Sequence, residues 1–432
     1  MTRTVFSNAR LIDPEAGTDA PGTVIVEGGR IAARLPADSP DSTARPDDVL
    51  IDCGGKCLAP GIVDLGVQLG EPGARHRESF RSAGRAAAAG GVTTIIARPD
   101  TDPPIDTPEV LEFVTRRAQA ETPVHVRHMA TLTRGRMGRE MAEIGFLRDA
   151  GALAFTDGDR VVRDTRVLAR CLTYARGLEA LVIGHPQDPD LSRGASATSG
   201  KFAALRGLAG VSPIAERMAF DRDMALVEMT GARYHADQIT CARTLPALER
   251  ARANGLDVTA GISIHHLTLN ELDVGNYRTF FRLTPPLRSE DDRLAMVDAV
   301  ARGVIDIICS MHTPADEESK RLPFEEATPG AVGLETLLPG AMRLYHAGTL
   351  GLAQLWRALA LNPARRLGLE AGRLSPDAPA DLVLFDPDAP FVLNRFTLHS
   401  KSKNTPYDEA RMEGRVLGTW VQGARVFPFQ EV

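Results

Sequence analysis

Two rhythms of apolar and polar positions divide the chain. Residues 1 to about 58 run in short alternating stretches, TVFSNARLID, GTVIVEGGRIAAR and VLIDCGGKCLAP, broken by glycine-bearing turns. The C-terminal end returns to that rhythm in ADLVLFDPD, FVLN and GRVLGTWVQGARVF. Val, Ile and Phe between turn residues predict β-strands, and the likeness of the two ends predicts that they pair in one small domain. The middle differs. Apolar runs recur as GIVDLGVQL, GVTTIIARP, VHVRHMATL, GALAFTDG, EALVIGHP, ARYHADQIT, LDVTAGISIHHL and GVIDIICSMHTP. Between most of them lie helix-like segments such as SFRSAGRAAAAGG, TPEVLEFVTRRAQA, DTRVLARCLTYARG and TLPALERARANG. Strands alternating with helices predict an α/β protein with a parallel sheet.

Eight strand–helix units over roughly 300 residues match the arithmetic of a (β/α)8 TIM barrel. A doubly wound sheet is the alternative, but it would carry a Gly-rich nucleotide turn after its first strand, and GEPG lacks the GxGxxG spacing. The predicted organisation is a β-sandwich domain built from residues 1–58 and 369–432, flanking a barrel over residues 59–368. Barrel chemistry sits at the C-terminal ends of the strands. Those ends carry Gly66 and Gln68, Asp100, His128, Asp157, His185, Gln238, His265 with His266, and Met311 with His312. The first of them holds nothing that ionises.

Composition narrows the picture. A chain of 432 residues, 43% hydrophobic, can bury a full core. A net charge of −6 gives no electrostatic case for nucleic acid or an anionic membrane as partner. Lysine is scarce (Lys56, Lys201, Lys320, Lys401 and Lys403), so arginine carries nearly all the positive charge. Cys53, Cys57, Cys171, Cys241 and Cys309 are too scattered for a disulfide framework and read as reduced thiols. Cys53 and Cys57 lie close together, but no second pair completes a zinc ribbon. The N-terminus enters a strand pattern directly, without a secretory apolar core, and no run reaches the length of a membrane span. A soluble, cytoplasmic protein is expected.

The stretches PGIVDL, EPGARHRESFRSAGRAAAAGGVTT, GALAFTDG, IHHLTLNELD, TPPLRSEDDRLAMVDAVARGVIDII, GAVGLETLLP and RLSPDAPADLVLFD resemble, in order, the class I dihydroorotases of the amidohydrolase superfamily. Hydantoinases and allantoinases share the architecture, but PPLRSEDDR followed by GLET points to the dihydroorotase branch. The resemblance implies hydrolysis of the cyclic amide of dihydroorotate, or its reverse, at a zinc centre that activates water. It implies ligands from an HxH on the first strand, a carboxylate or carboxylated lysine on the fourth and histidines on the fifth and sixth. An Asp on the eighth completes the set and shuttles the proton.

Set against that pattern, the positions of the HxH read Gly66 and Gln68, the sixth-strand His reads Gln238, and the eighth-strand Asp reads Met311. Asp157 and His185 remain at the fourth- and fifth-strand ligand positions. The arginine that would pair with the substrate carboxylate is Gly70, and the substrate-binding Asn is Asp100, a charge expected to repel an anionic substrate. His265, His266 and His312 are expected as pocket residues, and His235 as a supporting one. No lysine ends a barrel strand, which excludes a carboxylated-lysine bridge. Cys241 and Cys309 lie near strand ends without a nucleophile elbow and read as core residues.

The expectation is therefore a dihydroorotase-like protein of pyrimidine biosynthesis with no catalytic residue in place and no cofactor. By the resemblance it serves as a structural or regulatory subunit for aspartate carbamoyltransferase, and a homo-oligomer is expected. The alternatives are an active dihydroorotase or other cyclic amidohydrolase with a rewired zinc site on Asp157 and His185, and a small-molecule sensor that keeps the pocket for binding.

Overall fold

The computed structural model describes residues 3–37, 39 and 45–428. Strands from both ends form one eight-stranded sheet among the described residues. Its order runs Ala424–Phe427, Arg411–Val421, Leu382–Val392, Cys57–Pro60, Arg3–Asp13, Thr18–Glu27, Arg30–Pro36, with Val49–Asp52 also paired to Arg3–Asp13. The two ends join where Leu382–Val392 runs antiparallel to Cys57–Pro60, Leu382 opposite Pro60. Residues two apart share a face, and Val24 and Val26 turn inward with Phe6, Leu58, Leu384 and Trp420 to form the core of this domain. Phe6 meets Trp420 edge to face at 4.9 Å between centroids.

The barrel is built in two parallel arcs. One holds Ile62–Val67, Val92–Ala97 and His125–His128, the other Leu181–Gly184, Arg233–Ala236, Val258–Ser263 and Ile307–Cys309. The fourth strand expected in GALAFTDG is reduced to Phe155, whose backbone bridges Ala130 on one side and Val182 on the other. The first and last strands meet where Gln68 N–H donates to the His312 carbonyl at 2.9 Å. Below that contact, Ser310 N–H donates to the Asp64 carboxylate at 2.8 Å. Val63, Leu65, Ile96, Leu181, Ile183 and Ile307 fill the interior beneath the strand ends.

The helices start where side-chain oxygens accept from otherwise unpaired N–H groups. Ser79 caps Phe80–Ala89, Thr107 caps Pro108–Glu121, Asp164 caps Thr165–Gly177 and Ser289 caps Glu290–Ala301. After the fifth strand the chain inserts a short parallel pair, Ala197–Thr198 and Gly210–Val211, before the helix Ile214–Thr230. Trp356 locks barrel to sheet: its ring stacks on Phe385 at 4.6 Å, and its Nε1–H donates to the Pro60 carbonyl at 2.9 Å. Among the described residues no helix is long and apolar enough to cross a membrane.

Candidate functional site

The first barrel strand slips register between Leu65 and Val67, and Gly66 takes φ +90°. A residue with a Cβ is strained in that left-handed region. Met311, itself at φ 46°, places its Sδ 2.9 Å from where a Cβ on Gly66 would lie. An imidazole at position 66 would therefore meet both an unfavourable backbone and an occupied space. Gly70 is more restricted still. Residues 70–78 fold back so that Ala74 N–H donates to the Gly70 carbonyl at 2.6 Å. A Cβ there would run into the Ala74 and Glu78 carbonyl oxygens. Two of the missing groups, one ligand and the substrate anchor, are thus excluded by the backbone as well as by residue type.

What occupies the centre is a cation of the chain's own. Arg98, at the end of the second barrel strand and only 8% exposed, lines the same hollow as Gly66, Met311 and Asp237. Its guanidinium ion-pairs with Asp100 through Nη2, and Nε adds a second bond to Asp100 at 3.2 Å. Burial works against this charge, but Asp100, with Asp159 and Asp237 further away, outweighs it and raises the guanidinium's pKa. Burial likewise pushes the Asp100 carboxyl up, yet Arg98 holds it below its usual range. Gln68 completes the cluster, its Nε2 donating to Asp100 Oδ2 at 2.8 Å. The expectation that Asp100 presents a bare repelling charge is corrected here: its charge is neutralised inside the chain.

The retained ligand positions do not converge. Asp157 turns toward the loop after the third strand, accepting from Leu132 N–H at 3.1 Å, Thr133 N–H at 3.0 Å and the Thr133 hydroxyl. His185 Nδ1 lies 3.0 Å from Asp237 Oδ2, while its Nε2 is buried without a partner among the described residues. Burial lowers the His185 pKa, but the charge of Asp237 more than restores it, so the net shift is upward. Gln238 Nε2 reaches the Thr284 carbonyl at 3.5 Å, and its Oε1 has no partner among the described residues.

His265 and His266 line a small space beside Gln238 and Met311. The Ser263 hydroxyl lies 2.8 Å from His266 Nδ1 and the Pro285 carbonyl 3.1 Å from Nε2, which places the His266 proton on Nε2. Burial lowers the two imidazoles to about 4 and about 3 respectively, so both are neutral. His312, expected in the pocket, faces inward instead. Its Nδ1 accepts from Gly333 N–H at 3.1 Å, which puts the proton on Nε2, 3.3 Å from Glu78 Oε2. His235 is buried in the barrel with Nδ1 2.8 Å from Thr259 Oγ1. Cys241 and Cys309 are buried thiols whose pKa burial drives upward, away from a reactive thiolate.

The zinc centre that the family pattern implies does not fit these residues. Asp157 is spent on the loop after the third strand, and His185 offers one free nitrogen. The hollow by Gly66 and Met311 holds about 10 Å³, near the space of a single water. Among the described residues, no three His, Cys, Asp or Glu side chains are grouped to hold a metal ion. Above the filled centre the barrel mouth opens into a cavity of about 570 Å³, where Arg136, Arg139, Arg160 and Arg163 surround His185 and Gln187. Two residues that shape the centre, Arg98 and Asp237, escape a reading of the sequence. Arg98 does carry a signal, a lone charge ending the apolar run VTTIIA before a proline. Asp237 is masked by its neighbour Gln238, the position the family pattern draws the eye to.

Comparison with known proteins identifies the family. A family model described as dihydro-orotase-like matches residues 55–243, and one for the amidohydrolase family matches residues 216–426. A protein named dihydroorotase from Wolbachia sp. subsp. Drosophila simulans (strain wRi) is 36% identical over 423 residues, spanning 98% of this chain and 95% of its own. This chain belongs to the dihydroorotase-like amidohydrolases. Among its relatives is a dihydroorotase-like protein from Pseudomonas aeruginosa, 39% identical over 415 residues and covering 96% of this chain and 97% of its own. In structure this dihydroorotase-like chain resembles an L-hydantoinase from Arthrobacter aurescens, with a TM-score of 0.89 at 25% identity over 100% of this chain and 97% of the other.

Proposed function

We propose that this chain is a dihydroorotase-like protein of pyrimidine biosynthesis that has given up turnover and serves as a structural or regulatory subunit for aspartate carbamoyltransferase. One observation carries the loss of turnover: the hollow lined by Gly66, Arg98 and Met311 keeps only about 10 Å³, with Asp100 paired to the Arg98 guanidinium and Gln68 donating to Asp100. Zinc works in such a centre by lowering the pKa of a bound water. A fixed guanidinium attracts anions but has no coordination site in which to ionise a water. The scaffold around this centre is kept whole, which supports a role for the scaffold itself. The partner is taken from the family resemblance.

The test is metal analysis and a dihydroorotase assay in both directions on the pure chain, with and without aspartate carbamoyltransferase. Light scattering on the mixture reads complex formation. Sub-stoichiometric zinc, background turnover and a defined complex are expected. Metal-dependent turnover would overturn the first half of the proposal, and failure to associate the second. The rival reading, an active cyclic amidohydrolase with a rewired centre, is favoured by relatives named dihydroorotase and by the unpartnered Nε2 of His185. It requires turnover that disappears in His185→Ala.

A further inference from the structure

A second charged cavity lies away from the barrel centre, between the segment after the eighth barrel strand and residues 395–404. It measures about 180 Å³ and shares no lining residue with the cavities at the mouth. Lys320, Lys401 and Lys403 line it with Arg395. The chain has 50 lysines and arginines, and only five are lysine, so three of the five gather at one cavity. Among the described residues their ammonium groups bond only to backbone carbonyls. Lys320 Nζ donates to Thr279 at 3.2 Å, Lys401 Nζ to Arg75 at 2.9 Å, and Lys403 Nζ to Leu398 at 2.5 Å and Ser400 at 2.6 Å. Among the described residues none of the three is ion-paired with a carboxylate.

The two acidic groups on the wall are already occupied. Asp316 takes Arg77 Nε at 2.9 Å and caps a helix through Ser319 N–H at 2.9 Å, and Glu317 takes Arg321 Nη2 at 2.8 Å. Each ammonium has three protons, so these bonds leave every lysine with at least one N–H to give. Lys320 is only 4% exposed, an uncommon place for an unpaired cation. Burial, with Arg282 nearby, lowers its pKa to about 7. An anion supplying several oxygens offers acceptors to the lysines that line this cavity. A carboxylate has two oxygens to offer. A phosphoryl group has more, carries up to two charges and fits the volume, and lysine grips it as a point charge.

We propose that this cavity binds the phosphoryl group of a small phosphorylated anion, held by Lys320, Lys401 and Lys403. The source is either free phosphate or a phosphorylated metabolite. Isothermal titration of the full chain with inorganic phosphate, pyrophosphate and ADP separates the two, with succinate as the carboxylate control. One saturable site per chain is expected for at least one phosphoryl ligand and none for succinate. Lys401→Met, an exposed position, is expected to weaken binding about ten-fold. Lys320→Met removes the buried cation. It is expected to abolish binding while raising the melting temperature of the ligand-free protein. Binding unchanged in both variants, or no saturation by any phosphoryl ligand up to about 10 mM, overturns the proposal. If Lys320→Met fails to fold, the Lys401→Met titration decides alone.

Discussion

Two buried groups of charge in the barrel are finished to different degrees. Glu216, on the helix Ile214–Thr230, is fully buried and accepts from Thr240 N–H at 3.0 Å, Cys241 N–H at 2.9 Å and the Thr244 hydroxyl at 2.8 Å. Arg288, from the PPLRSEDDR stretch, lies 3.4 Å from it and also donates to Thr240 Oγ1 at 2.9 Å and Thr198 Oγ1 at 3.2 Å. In the centre Asp100 joins Arg98 and Gln68, but Gln238 Oε1, His185 Nε2 and both nitrogens of His265 have no partner among the described residues. A buried charge is stable without outside help only when the chain itself supplies its partners. The Glu216 network meets that condition and the centre meets it in part. The first is built for stability, and the second is an adapted site.

The contrast is broken most severely at Glu216. Glu216→Ala leaves the Arg288 guanidinium buried without its carboxylate and is expected to lower stability by about 3–5 kcal/mol. Chemical denaturation measures it, and a loss under about 1 kcal/mol would show that the network is not a stability element.

Acid comes next and acts on the buried imidazoles. Burial lowers His128 and His265 to about 4, and His235 and His266 to about 3. Their unfolded value is about 6.5. Below it the unfolded chain takes up protons that the folded chain refuses, so stability falls as pH falls. Asp64, pushed up to about 6 by burial, acts with the opposite sign, losing its contribution as pH rises through that value. His185, which burial lowers and Asp237 more than restores, also opposes the four. The four imidazoles, joined by Lys320 whose pKa burial lowers to about 7, outweigh Asp64 and His185 and leave a net loss of about 4 kcal/mol between pH 7.5 and 5.5, read as a shift in the urea midpoint. Equal midpoints at the two pH values would contradict the assignment of neutral imidazoles.

A smaller effect is expected at Arg98. Arg98→Met leaves Asp100 with Gln68 alone and is expected to lose about 2 kcal/mol, less than Glu216→Ala because fewer bonds depend on it. Arg98→Met/Asp100→Asn removes both charges and is expected to recover to within about 1 kcal/mol of the parent. A double variant no better than the single would mean that the pair is not the unit argued here.

The eight-unit barrel and the sheet drawn from both ends are legible in the sequence because hydrophobic period reports them directly. The fourth strand is the weak point, since GALAFTDG pairs through Phe155 alone and a single bridge leaves little pattern. The absences at Gly66, Gln68, Gly70, Gln238 and Met311 are legible because a missing imidazole or carboxylate is a matter of residue type. Direction is not. Asp157 keeps its identity but is turned away by N–H groups of a loop more than twenty residues earlier, and His312 faces Glu78 instead of the mouth. The filling of the centre by Arg98 depends on which way one side chain points. The lysine cavity joins residues some eighty positions apart, and no local pattern announces it.

The smallest expected effect is the most informative about the centre. Met311→Asp restores the carboxylate that the family pattern places on the eighth strand. If identity alone were missing, zinc affinity would begin to return. The geometry predicts otherwise. The new carboxylate would share its hollow with the Arg98 guanidinium, pair with it, and leave no room for a second cation. Gly66 at φ +90° still withholds an imidazole on the opposite side. Metal analysis after equilibration with zinc is therefore expected to find no gain over the parent. Adding Arg98→Met to Met311→Asp is expected to raise zinc affinity about ten-fold over Met311→Asp alone, because it removes the competing cation and frees Asp100. One zinc per chain in Met311→Asp by itself would mean that the guanidinium does not hold the place of the metal.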